Sequence, residues 1–221
     1  MFLGNVAKHI NASVHLRKQI MKTNTVGIIG AGAIGQAFAH QLVNAGVNVI
    51  LSNSRGPDSL AEVVEALGDK ARAGTVQQAA EAEIVFISTN WNRTEAALSG
   101  VNWEGRILID ATNPVLLPGY TLADLGGKNS SQRVAEWAAG ARVVKAFNTL
   151  LANVLAQDPS QSGGRRVVFM SGDHADAKAD VEELATRMGF ASIDLGSLEI
   201  GGYLQQFPGG PLPALNLVKL A

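Results

Sequence analysis

Gly30, Gly32 and Gly35 stand in the spacing G-x-G-x-x-G. The run Thr25-Val26-Gly27-Ile28-Ile29 before them reads as a buried strand. After them, Ile34, Phe38 and Leu42 recur at helical spacing over Ala33 to Ala45. A strand leading in and an amphipathic helix leading out is the context in which this spacing binds a dinucleotide. Gly30 permits the tight turn, and Gly32 lets the backbone approach a pyrophosphate. Gly35 lets the helix pack close to the strand, while the N–H groups of the first turn, at Ala33 and Ile34, face the anion at the positive end of the helix dipole. A purely structural turn is the competing reading; the agreement of spacing and both flanks favours the dinucleotide.

The end of the second strand selects the cofactor. An NAD site places an Asp or Glu about 20 residues on, to bind the ribose 2′-hydroxyl. Here the chain reads Ser52-Asn53-Ser54-Arg55-Gly56-Pro57, with no carboxylate before Asp58. An amide, a hydroxyl and a guanidinium suit a 2′-phosphate, which a carboxylate would repel. The expected cofactor is NADP(H).

Further strand exits are rich in small polar residues: Ser88-Thr89-Asn90, Thr112-Asn113-Pro114 and Phe147-Asn148-Thr149. Ligands on open α/β sheets bind outside the carboxyl ends of the strands, so these exits are candidates to contact the rest of a dinucleotide. Trp91 fits either the cofactor or the core. A general base is harder to find. His9 and His15 precede the fold, His40 lies inside the first helix, and His174 opens a late one. Tyr120 and Tyr203 lack a lysine four residues on. Lys145, flanked by Val144 and Ala146, is a possible acid, but a strand lysine more often snorkels or faces an edge. Hydride transfer between two cofactors needs alignment and little side-chain proton chemistry, which suits this inventory. A non-catalytic NADP(H) sensor suits it too.

The elements that must position these residues alternate along the chain. Apolar strands are expected at Val47 to Leu51, Glu83 to Ser88, Arg106 to Asp110, Arg142 to Phe147, Arg166 to Ser171 and Phe190 to Leu195. Helices are expected at Asp58 to Leu67, capped by Asp58, and at Ser131 to Ala139, stopped by Gly140. A further helix carries Val181, Leu184, Ala185 and Met188 on one face, with Asp173 or Asp176 as its cap and Gly189 as its stop. Strands that are apolar on both faces and alternate with helices imply a parallel, doubly wound α/β sheet of Rossmann type. An N-terminal extension is expected at 1–22, the NADP-binding domain at 23–150, and a small C-terminal extension of the sheet at 151–221.

Composition excludes other classes. The 18 basic and 19 acidic residues are spread along the chain, so no basic stripe is available for nucleic acid. There are no cysteines, hence no disulfide and no thiolate chemistry. No metal site is expected. No apolar run approaches the roughly 18 residues of a membrane span, and residues 1–22 do not read as a signal peptide. A cytoplasmic protein without a membrane partner is expected.

The motifs together resemble the NADPH-dependent reductases of the deazaflavin coenzyme F-420. The resemblance is carried by Gly30 to Gly35, Asn53 to Pro57, Asp110 to Pro114 and Lys145 to Thr149. It continues through Gly172-Asp173, Asp194 to Glu199 and Gly209 to Leu212, and so covers nearly the whole chain from Thr25. The oxidoreductase domain of the six-transmembrane metalloreductases is similar too. The resemblance implies that Ser54 and Arg55 hold the 2′-phosphate and that Asn113, Pro114, Phe147 and Asn148 border the nicotinamide. It also implies that the stretch around Leu204 to Leu212 helps form an acceptor pocket, often in a homodimer. The chain departs from the archaeal reductases at Phe147-Asn148-Thr149, which leaves the small-molecule acceptor open between the deazaflavin and a flavin, FMN or FAD.

Overall fold

The structure, a computed structural model, describes residues 24–161 and 163–220. The extension expected at 1–22 lies outside the described residues. The chain runs β1 (Thr25–Ile29), α1 (Ala33–Asn44), β2 (Asn48–Ser52), a 3-10 turn (Pro57–Leu60), α2 (Ala61–Leu67), β3 (Ala71–Ala73) and α3 (Val76–Ala80). It continues with β4 (Ile84–Ile87), α4 (Trp91–Leu98), β5 (Ile107–Asp110), the hairpin β6 (Val115–Leu116) and β7 (Thr121–Leu122), α5 (Ser130–Trp137) and β8 (Arg142–Ala146). Then come α6 (Ala152–Leu155), β9 (Ser160–Gln161), β10 (Gly164–Gly172), α7 (Ala175–Arg187), β11 (Ala191–Asp194), α8 (Leu198–Gln205) and β12 (Val218–Leu220). None of the described helices is long and apolar enough to cross a membrane.

The main sheet has the order β11-β10-β8-β5-β4-β1-β2-β3. From β3 to β8 every pairing is parallel. This is the expected α/β sheet of Rossmann type, with one difference. β10 pairs antiparallel with β8, and β11 follows β10 in direction. After β8 the chain stays at the carboxyl edge through α6 and β9 and re-enters there as β10, so no crossover restores the parallel direction. The Gly172-Asp173 exit therefore lies on the edge opposite the Gly turn.

Period-2 alternation sends each strand's side chains to two cores. Val26, Ile28, Phe86, Ile109 and Val144 face α1 and α7. Ile29, Val85, Ile87, Leu108 and Val143 face α3, α4, α5 and α8. Gly27 makes the second contact close, since a Cβ there would stand 1.8 Å from the Ala79 carbonyl oxygen. On the first face Phe38 stacks on Phe86 with ring centroids 3.9 Å apart, and Phe147 packs 4.8 Å from Phe38.

Two expected helix caps fall elsewhere. Asp58 sits inside the 3-10 turn, whose cap position is Gly56. His174, not an aspartate, occupies the cap of α7, and Asp173 instead accepts a hydrogen bond from the Leu198 N–H at 2.9 Å. Asp176 lies in the first turn, where the Ala177 N–H and the Arg142 guanidinium hold its carboxyl below the usual range.

Candidate active site

A cleft of about 820 Å³ opens over the carboxyl ends of β1, β2 and β4. Gly30, Ala31 and Gly32 form one wall, Asn53 to Gly56 a second, and Ser88 to Asn90 a third. The turn is held by its neighbours: the Gly30 N–H donates to Ser52 O at 3.0 Å and the Ser88 hydroxyl donates to Gly30 O at 3.0 Å. Gly30 sits at φ +111°, where a Cβ would also strike the Ser88 carbonyl. Gly32 caps α1 with no side chain on its N–H groups and no acidic residue in the first turn. Those N–H groups need an outside acceptor. A Cβ on Gly32 would meet no atom within 4 Å, so the space above it is open. The turn thus fits a pyrophosphate.

Ala33 and Ile34 are in that first turn and can offer only backbone N–H groups. Gly35 is buried, and a Cβ there would stand 1.9 Å from Gly30 O, so it is a packing position behind the turn.

On the second wall Asn53 is engaged in folding its own loop. Its Oδ1 accepts the Arg55 N–H at 2.8 Å and its Nδ2 donates to the Ser59 hydroxyl at 2.9 Å. Ser54 and the Arg55 guanidinium are left exposed on the cleft, and that guanidinium has no partner among the described residues. On the third wall the Thr89 and Thr94 hydroxyls pair at 3.0 Å, and the Asn90 side chain stays exposed. Trp91, left open between cofactor and core, belongs to the core: its ring packs 4.9 Å from Trp137.

The sequence reading missed Arg93, Thr75 and Gln77, which also line the cleft. Arg93 shares a helical face with Ala96 and Ala97, three and four residues on. What turns that face to the cleft is burial of Trp91, Thr94 and Leu98 on the other side of α4. Among the described residues, none that lines the cleft is acidic.

Asn113, Pro114, Phe147 and Asn148 lie at the next two exits along the same edge, outside that cleft. The structure brings the two asparagines into direct contact, at 3.0 Å in both directions. Both also bind the end of α8 and the segment after it, Asn148 through Gln205 O and Asn113 through the Phe207 N–H. Phe147 has a left-handed backbone at φ +63°, and its ring is wholly buried among Phe38, Phe86 and Phe190, so at this exit it presents backbone and not its ring. Pro114 is buried at the base of the β6–β7 hairpin.

Lys145 neither snorkels nor faces an edge. It is fully buried, directly across from Asp110 in the β5–β8 register, and both side chains point to the face covered by α5. Its ammonium donates to Thr112 O and Ser130 Oγ at 3.1 Å and stands 3.4 Å from Asp110 Oδ2. Burial pulls the Lys145 ammonium below its usual range, against the opposing pull of the Asp110 carboxylate. A sealed lysine has no path to a substrate carbonyl in this structure.

Residues 25–114 match the protein family described as coenzyme F-420-dependent NADP oxidoreductase. A crystal structure of a hypothetical protein from Sinorhizobium meliloti is similar over 93% of this chain and 99% of its own, at 44% identity and a TM-score of 0.84. A protein from Arthrobacter sp., described as a candidate F-420-dependent NADP reductase, is 26% identical with a TM-score of 0.66, over 78% of this chain and 85% of its own. Metalloreductase STEAP3 of Rattus norvegicus is 30% identical over 198 residues, 88% of this chain and 38% of the relative. The chain thus spans less than two fifths of the length of the curated metalloreductases it matches. The dinucleotide-binding fold and these likenesses make the chain similar to the coenzyme F-420-dependent NADP oxidoreductases, whose family model matches its first Rossmann segment, less than half of the chain.

Proposed function

We propose that the chain passes a hydride between NADP(H) and a planar flavin-type acceptor, either deazaflavin coenzyme F-420 or a flavin such as FMN or FAD. The observation that carries this reading is the acid-free cleft, with an uncapped helix N-terminus on one wall and an unpartnered Arg55 beside Ser54 on another. Gly32 and the first-turn N–H groups take the pyrophosphate. Ser54 and Arg55 take the 2′-phosphate by charge-assisted hydrogen bonds. With the adenosine end at β2, the order β2-β1-β4-β5-β8 directs the nicotinamide end towards the exits of β5 and β8. There the Asn113–Asn148 pair holds the Gln205–Phe207 segment, which is the chain's contribution to the acceptor side. When bound, NADPH supplies the hydride and the acceptor ring takes it up together with a proton from solvent. The protein's part is alignment of two rings and exclusion of water between them. The burial of Lys145 supports this reading over a carbonyl reductase that would use that lysine as its acid.

The test is NADPH oxidation by the purified protein against coenzyme F-420, FMN, FAD and riboflavin, with NADH as control donor. Turnover with one acceptor and preference for NADPH is expected. Tight NADPH binding without turnover on any acceptor would replace the enzyme by a non-catalytic NADP(H) sensor. Arg55→Asp is expected to weaken NADPH far more than NADH. Equal weakening would refute the 2′-phosphate assignment.

A further inference from the structure

Two guanidinium groups face the cleft, on different walls: Arg55 at the exit of β2 and Arg93 in the first turn of α4. Both are exposed and neither has a hydrogen-bond or ion-pair partner for its side chain among the described residues. The Gly turn and the Ser54–Arg55 loop already answer the two anionic groups of NADP(H). Arg93 is left over.

Its surroundings indicate a different ligand chemistry. On the cleft side of α4 stand Arg93, Ala96 and Ala97, one cation beside two methyl groups. Across from them the start of α3 contributes Val76 and Gln77. Thr75 and Gln78 are tied up in the capping box of α3, so the Gln77 amide is the polar group left to turn outward there. Both helices cover the same face of the sheet, and the slot lined by the start of α3 and by the Arg93–Ala97 face of α4 belongs to the same cleft as the Gly turn. A slot with small apolar walls, one amide and one flat cation suits a planar heteroaromatic ring. A guanidinium stacks on such a ring through its face, which an ammonium cannot do.

We propose that this slot seats the adenine base of the dinucleotide and that Arg93 lies against the base, acting as a second determinant of cofactor affinity that does not read the 2′-phosphate. The proposal rests on the assignment of the cleft to NADP(H).

The experiment measures dissociation constants of NADPH, NADH and adenosine 2′-monophosphate for the wild type, Arg93→Ala, Arg93→Lys and Arg55→Ala. Adenine is the only group that NADH and adenosine 2′-monophosphate share besides the attached ribose. One lacks the 2′-phosphate and the other the pyrophosphate. Arg93→Ala is expected to weaken all three by one common factor of about five- to thirty-fold, the size of a desolvated cation–π contact. Arg93→Lys is expected to recover little of the loss, because it restores charge without the plane. Arg55→Ala should spare NADH. A loss that spares NADH would make Arg93 a 2′-phosphate ligand, and one that spares adenosine 2′-monophosphate would make it a pyrophosphate ligand. Full recovery by lysine, or no loss at all, would also overturn the stacking assignment. Failure of the wild type to bind NADPH would overturn the cofactor assignment itself. A normal Arg55 response with an unresponsive Arg93 would overturn this inference alone.

Discussion

Asn113 and Asn148 exchange hydrogen bonds across adjacent strand exits: each side-chain amide donates to the other residue at 3.0 Å, one to a carbonyl of the main chain and one to a side-chain oxygen. The same two side chains hold the C-terminal segment, where Asn148 Nδ2 donates to Gln205 O at 2.7 Å and Asn113 Oδ1 accepts the Phe207 N–H at 3.1 Å. Gln205, wholly buried, extends the knot to Ser171 Oγ and Phe169 O. Replacing Asn148 by Leu keeps the volume but leaves several buried groups without partners. A loss of about 1–3 kcal/mol in urea unfolding is expected. Cleavage after Gln205 by a probing protease should also precede global unfolding; unchanged stability and an unchanged cleavage pattern would show that the knot is dispensable.

Gly32 and Gly35 are three residues apart and should respond oppositely to the same change. Gly32→Ala enters open space at φ −77° and should cost less than about 1 kcal/mol, while its methyl group obstructs the pyrophosphate and weakens NADPH at least tenfold. Gly35→Ala drives a Cβ into Gly30 O and should lower stability and deform the turn together. Paired melting and binding curves check this; equal destabilisation by both would contradict the division between cradle and packing positions.

The buried Lys145 makes stability depend on alkaline pH. Its folded-state pKa lies below its ordinary 10.5, so between the two values the unfolded chain binds more protons than the folded one. Stability therefore rises with pH through that window, instead of falling. Lys145→Met should flatten this rise in denaturation series taken at successive pH values. A slope identical in wild type and variant would mean that Lys145 does not titrate differently on folding.

Phe147 joins a left-handed backbone to a buried ring. Phe147→Ala should cost about 3–5 kcal/mol through the cavity it leaves among Phe38, Phe86 and Phe190. Glycine accepts φ +63° without strain, so Phe147→Gly should be no less stable than Phe147→Ala, the reverse of their usual order. Calorimetry of the two variants decides the order, and a Gly variant clearly weaker than Ala would deny the strain.

Much of this protein is determined locally and was therefore legible in its residues. The strand–Gly turn–helix unit at Thr25 to Asn44 follows from β-branched apolar runs, three glycines and helical periodicity, all of which act within a few residues. The missing carboxylate at Asn53 to Arg55 is likewise a local fact. The direction of β10 is not local: a strand buried on both faces carries the same apolar pattern whichever way it runs, and only the return of the chain to its starting edge made it antiparallel. Lys145 looked like an edge or snorkelling residue because its own strand cannot show Asp110, Thr112 and Ser130 gathering around it. Arg93 drew no reading from the sequence, because only the packing of Trp91 and Leu98 fixes the rotation of α4. Local propensity and spacing determined which elements form and where an anion can sit. Tertiary packing decided which side chains those elements bury, because the partners that stabilise a buried charge or turn a helix face lie far away along the chain.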